Sequence, residues 1–144
     1  MKQMKILLVD DEERLLSTTK KLFEKIGIEA QTANSGKEAL ELLESSEVDV
    51  IFLDIKMPGM DGIETLERIK KKYPLTEVII LTGHANMETA VEGLKLGALD
   101  YLIKPVSMRD FLKKAEEGFE KVTLQKGKIR SARLAEVGGG QRKL

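Results

Sequence analysis

The sequence has no cysteine, and its longest apolar stretches, such as residues 6–9 and 78–81, are only as long as β-strands. The absence of cysteine excludes a disulfide framework and metal sites with thiolate ligands. A membrane-spanning helix needs about 20 consecutive apolar residues, so the sequence predicts none. The first five residues lead directly into an apolar strand and then into acids, unlike a secretory signal peptide. We therefore expect a cytoplasmic protein without a membrane contact.

The glycine patterns that bind nucleotide phosphates are also missing. No GxGxxG motif occurs, and neither Gly27 nor Gly36-Lys37 stands in the spacing of a P-loop. The 144 residues are enough for one domain that buries its own core. With 42% hydrophobic and 33% charged residues, the composition is that of a globular domain. We therefore predict one globular domain without a nucleotide site.

Charge divides the chain into two parts, although its 24 basic and 24 acidic residues balance overall. From residue 123 onward there are six basic residues and one acidic residue, a net charge of +5, so residues 1–122 carry −5. This division predicts an acidic folded domain over residues 1–122 and a basic helical extension over residues 123–144. Three consecutive glycines at 138–140 are expected to break the helix and leave a flexible tail.

The extension is too short to form a further domain. About 20 residues cannot build a helix-turn-helix domain with its own core, so we expect no effector domain in this chain. Attraction of basic residues to phosphates alone gives only weak binding. The composition therefore favours a solvated linker, and nucleic acid is not an expected partner of this chain alone.

Strand-like and helix-like segments alternate five times along the first 122 residues, and each predicted strand is followed by apolar residues at helical spacing. Ser35, with Glu38 three residues later, predicts a capping box at the start of the second helix. The strands are almost continuously apolar, as in parallel sheets covered by helices on both faces. Right-handed connections then give a doubly wound α/β sheet in three layers. The predicted strands are residues 5–9, 28–33, 49–53, 77–81 and 100–103.

Polar side chains follow four of the five predicted strands. Because the carboxyl ends of parallel strands meet at one edge of a sheet, we expect these side chains to lie together. Several carboxylates in one place require a cation, and Mg²⁺ accepts oxygen ligands together with water and phosphate. A lysine and a hydroxyl beside them predict a magnesium site that binds a small tetrahedral dianion. The residues are Asp10, Asp11 and Glu12 after the first strand, Asp54 after the third, Thr82 after the fourth and Lys104 after the fifth.

These residues lie in four motifs that together resemble the receiver domains of two-component response regulators. The resemblance covers residues 4 to about 122. It implies a flavodoxin-like fold of the chemotaxis-regulator type, with a five-stranded parallel sheet in the order 2-1-3-4-5 and five helices. The motifs are Val9-Asp10-Asp11-Glu12, the segment LDIKMPGMDG at 53–62, Leu81-Thr82-Gly83 and Tyr101-Leu102-Ile103-Lys104-Pro105.

The resemblance also implies a nucleophile and a set of metal ligands. Asp54 is expected to attack phosphorus and become an aspartyl phosphate. Asp11, Asp54 and the main-chain carbonyl of Lys56 would bind Mg²⁺ directly, and Asp10 would bind it through water. The residues alone leave other roles open, because Asp10 and Asp11 would also suit the start of a helix. Asp54, in turn, would also suit a turn.

Further roles come from the same resemblance. Lys104 is expected to pair with phosphoryl oxygens, and a cis Lys104-Pro105 bond would direct it inward. Thr82 would hydrogen-bond the same group, in a movement coupled to Tyr101 turning inward, although Tyr101 also suits ordinary packing. His84 suits a surface loop, yet its place near the site leads to a hypothesis that Lys56 and His84 set the lifetime of the aspartyl phosphate.

The implied function is that of a phosphoacceptor in a phosphorelay. A sensor histidine kinase or phosphotransfer protein would donate the phosphoryl group, and the response would repack the face formed by the fourth helix, fifth strand and fifth helix. That face would also serve a homodimer. We expect a signalling protein that is not an enzyme, although it would catalyse its own phosphorylation and dephosphorylation.

Two other functions are disfavoured. A haloacid-dehalogenase-like phosphatase needs a second acid two residues after the nucleophile, where this sequence has Lys56. A receiver-like domain that only docks partners would not need Asp54, Thr82 and Lys104 together.

Overall fold

Five parallel strands form one sheet in the order β2-β1-β3-β4-β5, which confirms the predicted fold class. The structure, a computed structural model, describes the backbone at residues 3–57 and 60–142, and side chains as far as residue 136. Pro58 and Gly59, which belong to the motif at residues 53–62, lie outside the described residues. The elements are β1 (Lys5–Val9), α1 (Glu13–Lys25), β2 (Glu29–Ala33), α2 (Gly36–Ser45), β3 (Val50–Asp54), α3 (Gly62–Lys72), β4 (Glu77–Thr82), a 3₁₀ turn (His84–Asn86), α4 (Met87–Lys95), β5 (Asp100–Ile103) and α5 (Met108–Arg142).

Helices cover both faces of the sheet, as the continuous apolar strands predicted. Every residue of β3 and of β4 is buried. Alternate residues of these strands point to opposite faces, so one strand contributes to two cores. On one face Phe52 packs against Phe23 of α1 and Phe111 of α5, with ring centroids 6.2 and 5.1 Å away. On the other face Ile51 packs in a cluster with Leu66 of α3.

Two strands extend one residue past the carboxyl ends of their apolar runs. Asp54 pairs with Leu81 in the β3–β4 ladder, and Thr82 pairs with Ile103 in the β4–β5 ladder. Backbone hydrogen bonds therefore hold Asp54 and Thr82 at the end of the sheet. The hydropathy pattern marks burial and not pairing, which is why it ended both predicted strands one residue too early.

The last helix differs from the prediction. Helix α5 continues to Arg142, so its backbone stays helical through the glycines at 138–140, where a break was expected. That prediction was wrong because glycine lowers helix propensity by only about 1 kcal/mol and does not block helical hydrogen bonds, as proline does. Residues 143–144 lie outside the described part of the chain.

Close backbone packing fixes the start of α3 against the segment that follows β3. A Cβ atom at Gly62 would collide with the backbone of Ile55 and with the carbonyl oxygen of Asp54. The N–H of Gly62 donates a hydrogen bond to Ile55 O at 3.1 Å. Glycine is therefore required at this position by the approach of two backbones.

We predict that Gly62→Ala lowers the free energy of unfolding by about 1–3 kcal/mol, because backbone must move to admit the methyl group. Gly127→Ala is the matched control, since Gly127 lies in α5 with no atom within 4 Å of an added Cβ. The control should be neutral or stabilising, because alanine is the better helix former. Urea denaturation measures both changes; equal effects would contradict the packing argument.

Candidate functional site

The carboxyl ends of the strands bring the predicted acids, threonine and lysine to one edge of the sheet. Asp10 follows β1, Asp54 ends β3, and Thr82 ends β4. These three residues are buried, with exposed fractions of 1%, 6% and 1%. Lys104 follows β5, and its N–H donates a hydrogen bond to Thr82 O at 2.7 Å.

Three carboxylates form a compact cluster at this edge. Asp10, Asp11 and Asp54 each contribute one oxygen, and these oxygens all lie within 4.8 Å of one another. Asp10 also serves the start of α1, because its Oδ1 accepts a hydrogen bond from the N–H of Glu12 at 3.0 Å. Asp10 therefore belongs to the cluster and also accepts from a backbone donor that directly precedes α1.

Lys104 places its ammonium group among the carboxylates. Its Nζ lies 2.6 Å from Asp10 Oδ2 and 3.6 Å from Asp54 Oδ2. The peptide bond between Lys104 and Pro105 is cis, as expected. Glu12 Oε1 lies 3.9 Å from the same ammonium. Glu12 was expected among the acids after the first strand but without a role of its own; its position directly after Asp10-Asp11 was the available signal.

The environment of Asp54 disfavours its charged form. Burial raises the pKa of Asp54, and the negative charge of Asp10 raises it further. The charge of Lys104 and the N–H of Lys56, which donates to Asp54 Oδ1 at 3.3 Å, act in the opposite direction. The result is a pKa of about 6. Additional positive charge would therefore stabilise Asp54 as the carboxylate.

The environment of Lys104 favours its charged form. Burial alone would lower the pKa of Lys104, but the hydrogen bond to Asp10 and the charges of Asp10, Asp54 and Glu12 outweigh it, so the pKa lies above its ordinary value. The ammonium is therefore a permanent positive charge at neutral pH.

The remaining predicted residues are Thr82, Tyr101, Lys56 and His84, and they differ in burial and in their contacts. The Thr82 hydroxyl donates a hydrogen bond to Gly83 O at 3.1 Å. Tyr101 is partly buried and packs against the core between the sheet and helices α2, α3 and α4, and in the described part of the chain no hydrogen bond joins it to Thr82. The side chains of Lys56 and His84 are exposed.

The donor set fits a hard divalent cation. All three groups of the cluster are carboxylates, and such cations prefer oxygen ligands. The single ammonium of Lys104 cannot neutralise three carboxylates. The edge therefore combines an acidic cluster able to hold a metal ion with a fixed ammonium beside it.

Comparison with known proteins agrees with this arrangement. The response regulator receiver domain family matches residues 6–116. The chain belongs to this family. It is 45% identical over 107 residues to the regulatory protein AtoC of Escherichia coli strain K12, a match that covers 72% of this chain and 23% of AtoC.

Solved receiver domains have the same fold. The receiver domain of NtrX from Brucella abortus is 34% identical, with a TM-score of 0.76 over 80% of this chain and 98% of that chain. A response regulator receiver domain protein from Clostridium thermocellum is 39% identical, with a TM-score of 0.81 over 85% and 98% of the two chains. This chain is therefore a receiver domain of the kind found in two-component systems. It spans about a quarter of the length of the curated relatives that it matches.

One expectation requires correction. A protein that catalyses its own phosphorylation and dephosphorylation cannot also be described as not an enzyme, so these two expectations contradict each other. The family match shows a response regulator receiver domain, so this classification was wrong.

Among the described residues, no helix is both long and apolar enough to cross a membrane.

We predict that Asp54→Asn stabilises the domain in the absence of divalent cations. The pKa of Asp54 is raised from 3.8 to about 6 in the folded protein. Ionised Asp54 therefore destabilises the fold above pH 6, an effect that disappears as the pH falls below about 4. We expect a gain of about 1–2 kcal/mol at neutral pH, below the full value of the shift because Asp54 is coupled to Asp10 and Lys104.

Urea denaturation in EDTA, repeated across this pH range, measures the gain. Asp110→Asn is the control, because Asp110 is an exposed acid in the first turn of α5. The gain should shrink as the pH falls through 6 and when Mg²⁺ is added, since the ion binds only the wild-type carboxylate strongly. A gain that is independent of pH would contradict the argument.

Proposed function

We propose that Asp54 accepts a phosphoryl group from a sensor histidine kinase or a phosphotransfer protein in a magnesium-dependent reaction. The observation that carries the proposal is the contact geometry of Lys104, whose ammonium lies 2.6 Å from Asp10 and 3.6 Å from Asp54 beside three clustered carboxylates. Family membership adds independent support. The family also supports a cytoplasmic location, which stays a prediction.

The proposed step is an in-line displacement at phosphorus. A carboxylate oxygen of Asp54 forms the new P–O bond while the P–N bond to the donor histidine breaks. The electron pair of that bond remains on the imidazole nitrogen, which then takes a proton from water. The protein contributes positioning and charge in such a transfer. The N–H of Lys56, 3.3 Å from Asp54 Oδ1, would hold the unreactive carboxylate oxygen.

Mg²⁺ would be held by Asp11, Asp54 and the main-chain carbonyl of Lys56, with Asp10 acting through water. A bound ion supplies positive charge for the carboxylates and for the equatorial phosphoryl oxygens. Asp11 is the exposed member of the cluster, whereas Asp10 is occupied by Lys104 and by the N–H of Glu12.

Lys104 and Thr82 would bind the phosphoryl group after transfer. Asp54 gains negative charge when it is phosphorylated, so the ammonium 3.6 Å away is attracted to the new oxygens. The hydroxyl of Thr82 would exchange its bond to Gly83 O for a phosphoryl oxygen. We propose that Tyr101 turns inward with this movement and that the face formed by α4, β5 and α5 repacks, which would alter a homodimer or an output partner.

We expect Asp54→Asn to abolish phosphoryl incorporation, because an amide is not a nucleophile for this displacement. Incubation with acetyl phosphate and Mg²⁺, followed by intact-mass measurement, gives the result directly. Asp110→Asn makes the same chemical change at an exposed position and should react like wild type. EDTA should abolish the reaction in both active proteins. Incorporation retained by Asp54→Asn would remove Asp54 from this role.

We also propose that Lys56 and His84 tune the lifetime of the aspartyl phosphate. Both side chains are exposed, Lys56 lies two residues after Asp54, and His84 lies two residues after Thr82. In this proposal they would border the path by which water reaches phosphorus. Alanine at both positions is expected to change the dephosphorylation rate by more than about twofold, measured as loss of the phosphorylated mass after donor removal.

Lys95→Ala serves as the control for this change, because Lys95 is an exposed lysine in the last turn of α4. Its dephosphorylation rate should equal that of wild type. A rate within twofold of wild type for the double variant would reject the proposed role of Lys56 and His84 and leave the role of Asp54 unaffected.

A further inference from the structure

A concave surface that is separate from the acidic edge lies between α1 and α5. It is a groove of about 770 Å³, bounded by the end of α1, the start of β2 and the middle of α5. Most of its lining is apolar, from Met4, Ile26, Ile28, Leu112, Phe119 and Leu124. Met4 and Ile28 directly precede β1 and β2, so this part of the surface lies at the opposite edge of the sheet from Asp54.

Large apolar side chains are exposed around this groove. Ile26 and Leu124, which line it, are 45% and 57% exposed. Leu22, one helical turn before Ile26, is 40% exposed. Among the described side chains, the other large exposed apolar residues are Ile129 and Leu134, farther along α5, and Val91 on α4. Apolar exposure is therefore greatest along α1 and α5, as at a protein–protein contact.

The two helices that flank the groove carry pairs of exposed charges of opposite sign, and we refer to their exposed sides as the α1 rim and the α5 rim. Glu116 and Glu120 of α5 line the groove and are exposed. Lys21 and Lys25 are exposed on α1, one turn apart beside Leu22 and Ile26. Within the described part of the chain, none of these four charged side chains has an ion-pair partner. Lys21 and Lys25 therefore form a basic pair on α1, and Glu116 and Glu120 form an acidic pair on α5.

The two pairs of charges also lie at similar distances from the carboxyl edge of the sheet. Helices α1 and α5 both begin at the carboxyl edge of the sheet, after β1 and β5. Lys21 and Lys25 come eight and twelve residues after the first residue of α1, and Glu116 and Glu120 come eight and twelve residues after the first residue of α5. A constant rise per residue therefore places the two pairs at similar distances from that edge.

We propose that this groove is the interface of a homodimer with its two-fold axis along the groove. Rotation about that axis places α1 of one copy over α5 of the other, twice, as an isologous interface requires. Lys21 and Lys25 of each copy then face Glu116 and Glu120 of its partner, and the exposed apolar residues lie between the rims. The occupant is a second copy because the surface is complementary to itself.

This dimer differs from the one that would use α4, β5 and α5. Its interface does not include Asp54 or the residues that contact it, so it should form without phosphorylation. Asp54→Asn should dimerise like wild type. High salt should weaken the dimer, because the facing charges are near solvent.

A charge-swap experiment tests the interface. Lys21→Glu with Lys25→Glu makes both rims acidic, and Glu116→Lys with Glu120→Lys makes both rims basic. Each double variant should repel its own copies, with at least a tenfold loss of self-association in sedimentation equilibrium. An equimolar mixture should form a heterodimer with the wild-type affinity restored. Glu41→Lys with Glu44→Lys, two exposed positions on α2, is the control and should dimerise like wild type.

Circular dichroism checks that every variant is folded, as expected for exposed positions. Three results would overturn the proposal: a monomeric wild type at high micromolar concentration, double variants that still dimerise, or a mixture that stays monomeric. Restoration in the mixture would support it, because loss of folding or a contact elsewhere would not be repaired by the opposite charge swap. None of these outcomes depends on phosphoryl transfer to Asp54.

Discussion

The repulsion among carboxylates at one edge of the sheet is the constraint on which the site depends. Asp10 and Asp54 are almost fully buried, where two negative charges are costly to hold together, and the pKa of Asp54 is raised for that reason. Lys104 offsets part of this repulsion through its contacts with both. One ammonium does not neutralise three carboxylates, so the folded domain retains negative charge. The same excess of negative charge favours the binding of a divalent cation. A bound cation would in turn favour the binding of a small tetrahedral dianion such as a phosphoryl group.

The parallel sheet is what makes this cluster possible. Lys104 and Asp10 are 94 residues apart in the chain and meet because β1 and β5 end at the same edge. Ladder hydrogen bonds fix Asp54, and the aromatic contacts of Phe52 with Phe23 and Phe111 hold the sheet to α1 and α5 directly beneath the site. A buried core of this kind stabilises the fold by far more than the site destabilises it. The domain can therefore tolerate an unfavourable cluster of charge.

Short sequence patterns predicted the strands and the cluster because both depend on local features. Continuous apolar runs marked the buried strands, and acids directly after them marked the edge. The capping box was also local: Ser35 accepts from the N–H of Glu38, although the Glu38 carboxylate accepts from the N–H of Asn34. The contact of Glu12 with Lys104 and the raised pKa of Asp54 depend on distances between remote residues, which no pattern encodes. Helix α5 was predicted too short because glycine was treated as an absolute break.

Helix α5 connects the two edges of the sheet, and packing contributes directly to its position. Lys126 lies 3.1 Å from Glu47, and because both side chains are exposed this pair contributes only about 0–1 kcal/mol. Lys121 lies 3.6 Å from the buried carboxylate of Glu77. Phe111 is buried, and at Gly118 an added Cβ would lie 2.9 Å from Val50, so the helix and sheet are in direct contact there. Because this contact leaves little space for sliding, α5 keeps a fixed position on the sheet. The side of the groove that α5 forms is therefore positioned by packing on the sheet and not by the charges at the acidic edge.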